Sequence, residues 1–285
     1  MSSCNFGTKA FSIQQAQSTC NFGTKTVPIT TALIDLLPYF ISSVANGNKA
    51  LNNTNDLPVW GKPKARTVTL EYPNGDITMF ETLDNEPIRW AYMKYIDADK
   101  MFYGMGCTST GDTINGVQNF DTAVHVNEGR TQAQGAKWCP RYMTVGQTVT
   151  YQNWNMYYYD TYTHAFIRDN GFWPMTTKLD FAGMMNVGGD LGSVPVIRVI
   201  WTPNSSGGGY PEHNYYALGW GRIGWAQYNL QGQIVQPTNG QIAFWTKINQ
   251  NGVILPNLSP WPTKICGLPI TVVGGQTMSI DSRCP

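Results

Sequence analysis

Arg66-Thr-Val-Thr-Leu-Glu-Tyr-Pro-Asn-Gly-Asp-Ile-Thr-Met-Phe-Glu-Thr82 is the stretch on which the fold class turns. On either side of Pro73-Asn74-Gly75-Asp76, polar and apolar residues alternate. Alternation at period two places one apolar face on a core, which is the pattern of a half-buried strand rather than a helix. Asn-Gly supplies the positive φ angles that a tight hairpin turn needs, so 66–72 and 77–82 are expected to pair antiparallel.

Toward the C-terminus the same grammar repeats. From Met101 onward Gly, Asn, Thr and aromatic residues recur every few positions, which suits many short strands joined by turns rather than βαβ units. Strands are expected at 147–154, 164–168, 194–202, 215–218, 222–229, 232–236, 242–247 and 252–254. The run Val194-Pro-Val-Ile-Arg-Val-Ile-Trp201 is the most apolar and is expected at the centre, with Pro195 near its start where a missing N–H is tolerable. The fold class read from these patterns is mainly β, an antiparallel sandwich or jelly-roll-like body.

Toward the N-terminus the pattern changes. Leu33, Ile34, Leu37, Phe40 and Ile41 fall at helical spacing within 30–45, with Pro38 inside, which predicts a kinked helix or two short pieces. A second short helix is expected at about 86–100, because Pro87 suits a first turn and Ile88, Ala91, Tyr92, Tyr95 and Ile96 share a face. Asn46 to Lys64 reads as a loop. Residues 1–29 hold the one internal repeat. Cys4-Asn-Phe-Gly-Thr-Lys9 recurs as Cys20-Asn-Phe-Gly-Thr-Lys25, too short and too few in copies for a solenoid. The segment 1–29 is therefore read as an extended arm that can add strands to a neighbouring subunit, and 30–285 as one β-rich domain.

Composition narrows the function. The chain has 285 residues, 42% of them apolar, but charged residues make up only 13% and the net charge is +1. Its surface is built from uncharged polar groups, and a chain near neutrality lacks the repulsion that keeps copies apart, so a homo-oligomer is expected. Basic residues are scattered singly, and the tightest group, Lys62, Lys64 and Arg66, is interrupted by Pro63. Nucleic acid is not an expected partner. No apolar run approaches the roughly 20 residues of a membrane-spanning helix, so membrane insertion is not expected either. The first residues carry no signal-peptide pattern, and an extracellular particle or surface assembly is favoured over a cytoplasmic enzyme.

Six cysteines, Cys4, Cys20, Cys107, Cys139, Cys266 and Cys284, show no Cys-x-x-Cys spacing, which argues against a zinc ribbon or thioredoxin-type site. Cys107 with Cys139, and Cys266 with Cys284, flank Gly-rich segments and are candidate loop-closing disulfides. The Asn-x-Ser/Thr triplets at Asn52, Asn204 and Asn257 are no more than this composition yields. With only His125, His164 and His213, no zinc-protease motif is present, and no nucleophile elbow, phosphate loop or dinucleotide fingerprint occurs. No metal or other cofactor is expected. His125 and Glu128 lie three apart and offer a weak acid–base or ligand pair; Ser205 to Gly209 lacks the lysine of a phosphate cradle and reads as a hairpin tip.

The densest chemical signal is aromatic. Gln152-Asn-Trp-Asn-Met-Tyr-Tyr-Tyr-Asp160, Gly171-Phe-Trp173 and Tyr215-Tyr-Ala-Leu-Gly-Trp-Gly-Arg-Ile-Gly-Trp225 set rings among amides. In a strand, Trp154, Met156 and Tyr158 share one face and Asn155, Tyr157 and Tyr159 the other, so one set of rings is expected outside the core. Exposed rings stack on sugar faces or bury subunit interfaces, and Trp154, Tyr158, Trp173, Tyr215, Trp220 and Trp225 are the candidate binding residues. The expected function is non-catalytic recognition or assembly, as a structural subunit of a virion or phage tail or as a glycan-binding module. The enzyme alternative is a glycosidase, which needs two carboxylates and an aromatic floor, with Glu212 as acid and Asp160 as the first candidate for the second carboxylate beside Asp169, Asp180 and Asp190, a pairing that spacing does not establish.

Overall fold

The computed structural model describes residues 15–22, 25–41, 51–53, 66–71, 76–82, 89–114, 117–160, 165–203, 209–237, 240–248, 270–271 and 277–278. The chain opens with β1 (Gln15–Phe22) and β2 (Lys25–Asp35), followed by one helical turn, α1 (Leu37–Phe40). Next come β3 (Leu51–Asn53), β4 (Arg66–Glu71), β5 (Asp76–Thr82), β6 (Arg89–Ile96), β7 (Met101–Ile114) and β8 (Val117–Asn127). A 3-10 turn at Gln132–Gln134 leads to β9 (Ala136–Pro140), β10 (Tyr142–Thr144), β11 (Thr148–Asp160), β12 (Phe166–Asp169) and β13 (Trp173–Gly188). The remainder comprises β14 (Gly192–Pro203), β15 (Glu212–Ala217), β16 (Gly221–Tyr228), β17 (Ile234–Gln236), β18 (Ala243–Ile248), β19 (Ile270–Thr271) and β20 (Thr277–Met278).

The fold is mainly β and its ladders are antiparallel. The 15-stranded sheet runs β12-β11-β13-β14-β15-β16-β18-β3-β4-β5-β6-β7-β8, with β17 on β16 and β9 on β7. Its last strand returns to its beginning, because β8 pairs with β11 from Trp154↔Asn127 to Asp160↔Asp121. The ladder is thereby a closed circuit, which satisfies backbone groups that an open sheet would leave at two edges. β14 lies between β13 and β15, paired on both sides. The hairpin expected around Asn74-Gly75 forms as β4–β5, pairing Arg66↔Thr82 through Glu71↔Ile77.

Both N-terminal helix expectations are corrected. Residues 30–35 belong to β2, whose β-branched run Val27-Pro-Ile-Thr-Thr31 favours extended backbone, and among the described residues of 30–45 only Leu37–Phe40 is helical, with Pro38 in its first turn. The segment around 86–100 contains β6, not a helix. Its Trp, Tyr and Ile residues fit a pleated surface, and β6 takes up backbone partners on both sides, β5 and β7. The junction at residue 29, read as the end of the arm, falls inside β2. The first repeat copy, Lys62, Lys64, the strand at 252–254, His164, the 205–208 tip, and the Cys266 and Cys284 pair lie outside the described residues.

The core is aromatic. Phe40 meets Phe102 edge-on at 4.7 Å and Tyr216 at 4.6 Å, geometries that add to simple burial. Around them lie Leu36, Trp138, Met143, Tyr151, Trp154, Trp173, Leu179 and Val199. A second buried cluster gathers Val187, Val196, Tyr215, Ile223, Trp225 and Trp245.

β1, β2 and β10 form a separate three-stranded sheet, and one arginine ties it to the body. Arg141 Nε donates to Asp35 Oδ1 at 2.8 Å and its Nη2 to Oδ2 at 2.6 Å, while Nη1 donates to Tyr95 Oη at 3.0 Å. The Asp35 carboxylate holds the guanidinium's pKa above its usual value. Its backbone acts at the same point, with Leu36 N donating to Arg141 O at 2.8 Å and Arg141 N to Lys100 O at 2.8 Å. Both charged partners are largely buried, with 20% and 24% of their side-chain surface exposed. Arg141→Ala should therefore lower unfolding free energy by about 2 kcal/mol, the scale of losing charge-assisted bonds and leaving a carboxylate unpaired. Denaturant unfolding of Arg141→Ala, Asp35→Ala and the double variant checks this; the two losses should be strongly non-additive.

Candidate functional site

Chemistry-bearing side chains concentrate where residues of β7, β8, β11, β13, β14, β15 and β16 meet. A local irregularity sets up the centre of this cluster. Between Tyr151 and Trp154 the register of β11 against β13 shifts, with Asn153 in the left-handed region at φ 55, a conformation asparagine tolerates better than most residues. Asn153 O accepts from Glu128 N at 2.8 Å, and the bulge brings Trp154 opposite Trp173.

Trp154 is the hub. Its ring lies 5.9 Å from Trp173 and 5.8 Å from Trp201, both edge-to-face, and 4.7 Å from the His125 imidazole. The imidazole can lie there because its neighbour on β7 is glycine: a Cβ at Gly104 would stand 3.0 Å from His125 Nδ1. On the other side of the ring, His125 Nε2 is 3.5 Å from Cys107 Sγ. Burial keeps this pair uncharged, pushing the thiol up to about 12, with the Glu212 charge adding to the effect, and the imidazole down to about 3. A thiol and imidazole so shifted are not a thiolate–imidazolium nucleophile at neutral pH.

Glu212 reaches the same interior from β15. Its residue pairs directly with Trp201 across β14–β15, and its Oε2 accepts from Trp225 Nε1 at 3.2 Å. Burial raises its pKa, opposed by the Trp225 hydrogen bond and the charge of Arg222. The strands β7 and β15 are not neighbours in the ladder, so the influence of Glu212 on Cys107 acts across the interior. Four nitrogens in the Trp154 cluster are buried without a hydrogen-bond partner among the described residues: Trp154 Nε1, Trp173 Nε1, Trp201 Nε1 and His125 Nδ1. Each such group costs about 1–3 kcal/mol when left unmet.

Compared with known proteins, the chain matches no family model, no curated sequence and no solved structure. The site is read from its residues alone.

Five of the six rings expected as binding residues are buried. Trp154 and Tyr215 retain 1% of their surface, and Trp173, Tyr158 and Trp225 are also in the core; Trp220 alone is part-exposed. Tyr158 is capped by the Arg168 guanidinium at 4.1 Å, and Tyr215 packs on Phe244 at 5.3 Å. Of the rings on the other face of β11, Tyr157 is part-exposed. Tyr159, on the opposite face from Tyr158, is buried against Phe166 and Gln132, because β12 and the 3-10 turn cover that face.

Asp160 stands in the ladder opposite Asp121, whose carboxylate pairs with Arg168 at 3.5 Å. Two pairings read from spacing do not form. Glu128 accepts from the Asn153 side chain, while His125 turns to Cys107. Cys107 and Cys139 are both free thiols: Cys139 Sγ contacts Pro140 O at 3.1 Å and Met143 Sδ at 3.5 Å. No group of three or more metal-ligating side chains is present among the described residues, and none of their helices is long and apolar enough to cross a membrane.

Sequence reasoning missed the Cys107–His125 contact. A signal was there: Asn115-Gly116 between two alternating runs marks the β7–β8 hairpin that carries one residue on each strand.

Proposed function

We propose that this chain is a non-catalytic structural subunit that assembles with copies of itself by strand addition, in the manner of virion or phage-tail proteins. The observation that carries the reading is the edge of β1. Among the described residues β1 forms the margin of its three-stranded sheet, and its eight pairs with β2 run without a register shift. Its sequence, Gln15-Ala-Gln-Ser-Thr-Cys-Asn-Phe22, contains no charge and no proline. Charge, proline and bulges are the devices by which edge strands resist pairing with another chain. A flat, uncharged edge lacking all three is a template for β-augmentation.

Two further features support it. The net charge of +1 offers little repulsion between copies. Phe166, Ile167 and Phe172 stand out at the β12 margin with 44–52% of their surface exposed, the kind of apolar patch that subunit contacts cover. At the finer level of fold we read the body as sandwich- or jelly-roll-like, architectures that host capsid and lectin domains. Glycan stacking on outward rings has less support, since the rings concerned are mostly core, and glycoside hydrolysis draws on Glu212 alone, whose carboxylate is engaged by Trp225.

The test is the oligomeric state of the full chain by size-exclusion chromatography with light scattering. The native chain should form a defined oligomer, and Gln17→Lys with Thr19→Lys, which places two charges on one face of β1, should reduce it to monomer without loss of β circular dichroism. A native monomer, or an oligomer indifferent to both lysines, would overturn strand addition.

A further inference from the structure

We infer that the interior around Trp154 is a binding site for a small, uncharged, hydroxyl-rich molecule, a polyol or a single sugar. The indole N–H groups of Trp154, Trp173 and Trp201 and the Nδ1 of His125 are buried and meet no partner among the described residues. All belong to rings in contact with Trp154. Trp154 and Trp173 are each more than nine-tenths buried, so bulk water does not satisfy them, and folded proteins leave few such groups without a protein, water or ligand partner.

The donors define the occupant. An indole N–H only donates, so whatever meets three of them must present oxygen acceptors. Among the described residues no charge shifts His125, whose pKa burial alone lowers, and the nearby charge of Glu212 is already opposed by Arg222; an anionic acceptor would enter uncompensated. A hydroxyl both accepts and donates, so it also serves His125 Nδ1 in either tautomer. Aromatic walls with a few placed polar groups are the general make-up of small-molecule sites. His125 and Trp201 keep part of their surface exposed while Trp154 keeps almost none, which places the entry on their side. These nitrogens are independent of the β1 edge, so the inference does not depend on strand addition.

The experiment is nuclear magnetic resonance of the full chain carrying 15N-tryptophan, with the indole signals assigned by single Trp→Phe variants. The probes are glycerol, D-glucose, D-galactose and N-acetyl-D-glucosamine. With at least one of them, the Trp154, Trp173 and Trp201 indole signals should move together and saturate. Trp225, whose N–H is already held by Glu212, should stay put. Trp201→Phe should weaken that binding roughly two- to tenfold, the worth of one hydrogen bond. If none of the four probes moves the three signals, and their indole protons show contacts to water alone, the interior is a hydration site and the inference fails. The titration of the native chain decides the matter even if Trp201→Phe does not fold.

Discussion

Trp154→Ala is expected to lower the unfolding free energy by about 3–5 kcal/mol, the range for removing a buried aromatic side chain and leaving a cavity. The expectation is at the upper end because of what the ring touches. Trp154 retains 1% of its surface and contacts Trp173, Trp201 and His125 at once. It also sits where β11 exchanges partners, paired with Trp173 on one side and with Asn127 of β8 on the other, so the cavity opens at the seam that closes the circuit. Denaturant unfolding followed by fluorescence measures it, with Met184→Ala as the control. Met184 is 65% exposed, and its loss should change stability by no more than about 0.5 kcal/mol. Equal effects from the two variants would refute the central place given to Trp154.

Acid should destabilise the fold through two histidines that are held neutral. Burial lowers the pKa of His125 to about 3; burial and the charge of Arg198 lower that of His213 to about 4. Above the unfolded value near 6.5 neither state binds a proton, so pH has no effect through them. Between about pH 6.5 and 4 the unfolded chain takes up protons that the folded chain refuses. Stability then falls with pH, by up to about 1.4 kcal/mol per pH unit for His125. His213 is stacked on Tyr228 at 3.9 Å but part-exposed, and solvent screening reduces its share. Glu212 works in the opposite sense near the bottom of that window, since a carboxyl whose pKa is raised binds its proton more readily in the folded state. Denaturant midpoints at pH 7, 5.5 and 4.5 should decline, and His125→Gln should flatten the decline. An unchanged slope in that variant would show that the imidazole is not held neutral by burial.

The β character of this chain was legible because its signals are local. Alternation at period two and an Asn-Gly turn need only their own neighbours, and the β4–β5 hairpin follows from them. Segments where the local signals conflict went the other way. In 89–96 the same apolar residues fit a helix face and a strand, and the choice was made by β5 and β7, which supply backbone partners on both sides.

Which residues share a site is a different kind of fact. Continued from the Ile114↔Val117 turn without interruption, the β7–β8 hairpin would set Cys107 opposite Val124, on the other face from His125. A register shift between Thr110 and Thr113 instead sets it opposite Ala123, and that one residue brings thiol and imidazole together, because a slip of one flips every side chain beyond it. Closure of the ladder acts in the same way at larger scale. It gathers Trp154 of β11, Trp173 of β13 and Tyr216 of β15 in one cluster and brings the Glu212 charge to bear on Cys107. By itself, then, the sequence determined the strand-rich class, the near-neutral composition and the absence of charge in the β1 segment, since these depend on residue type and short-range order. The tertiary structure alone decided which rings are core and which side chains meet, since bulges and ring closure are set by contacts between residues far apart in the chain.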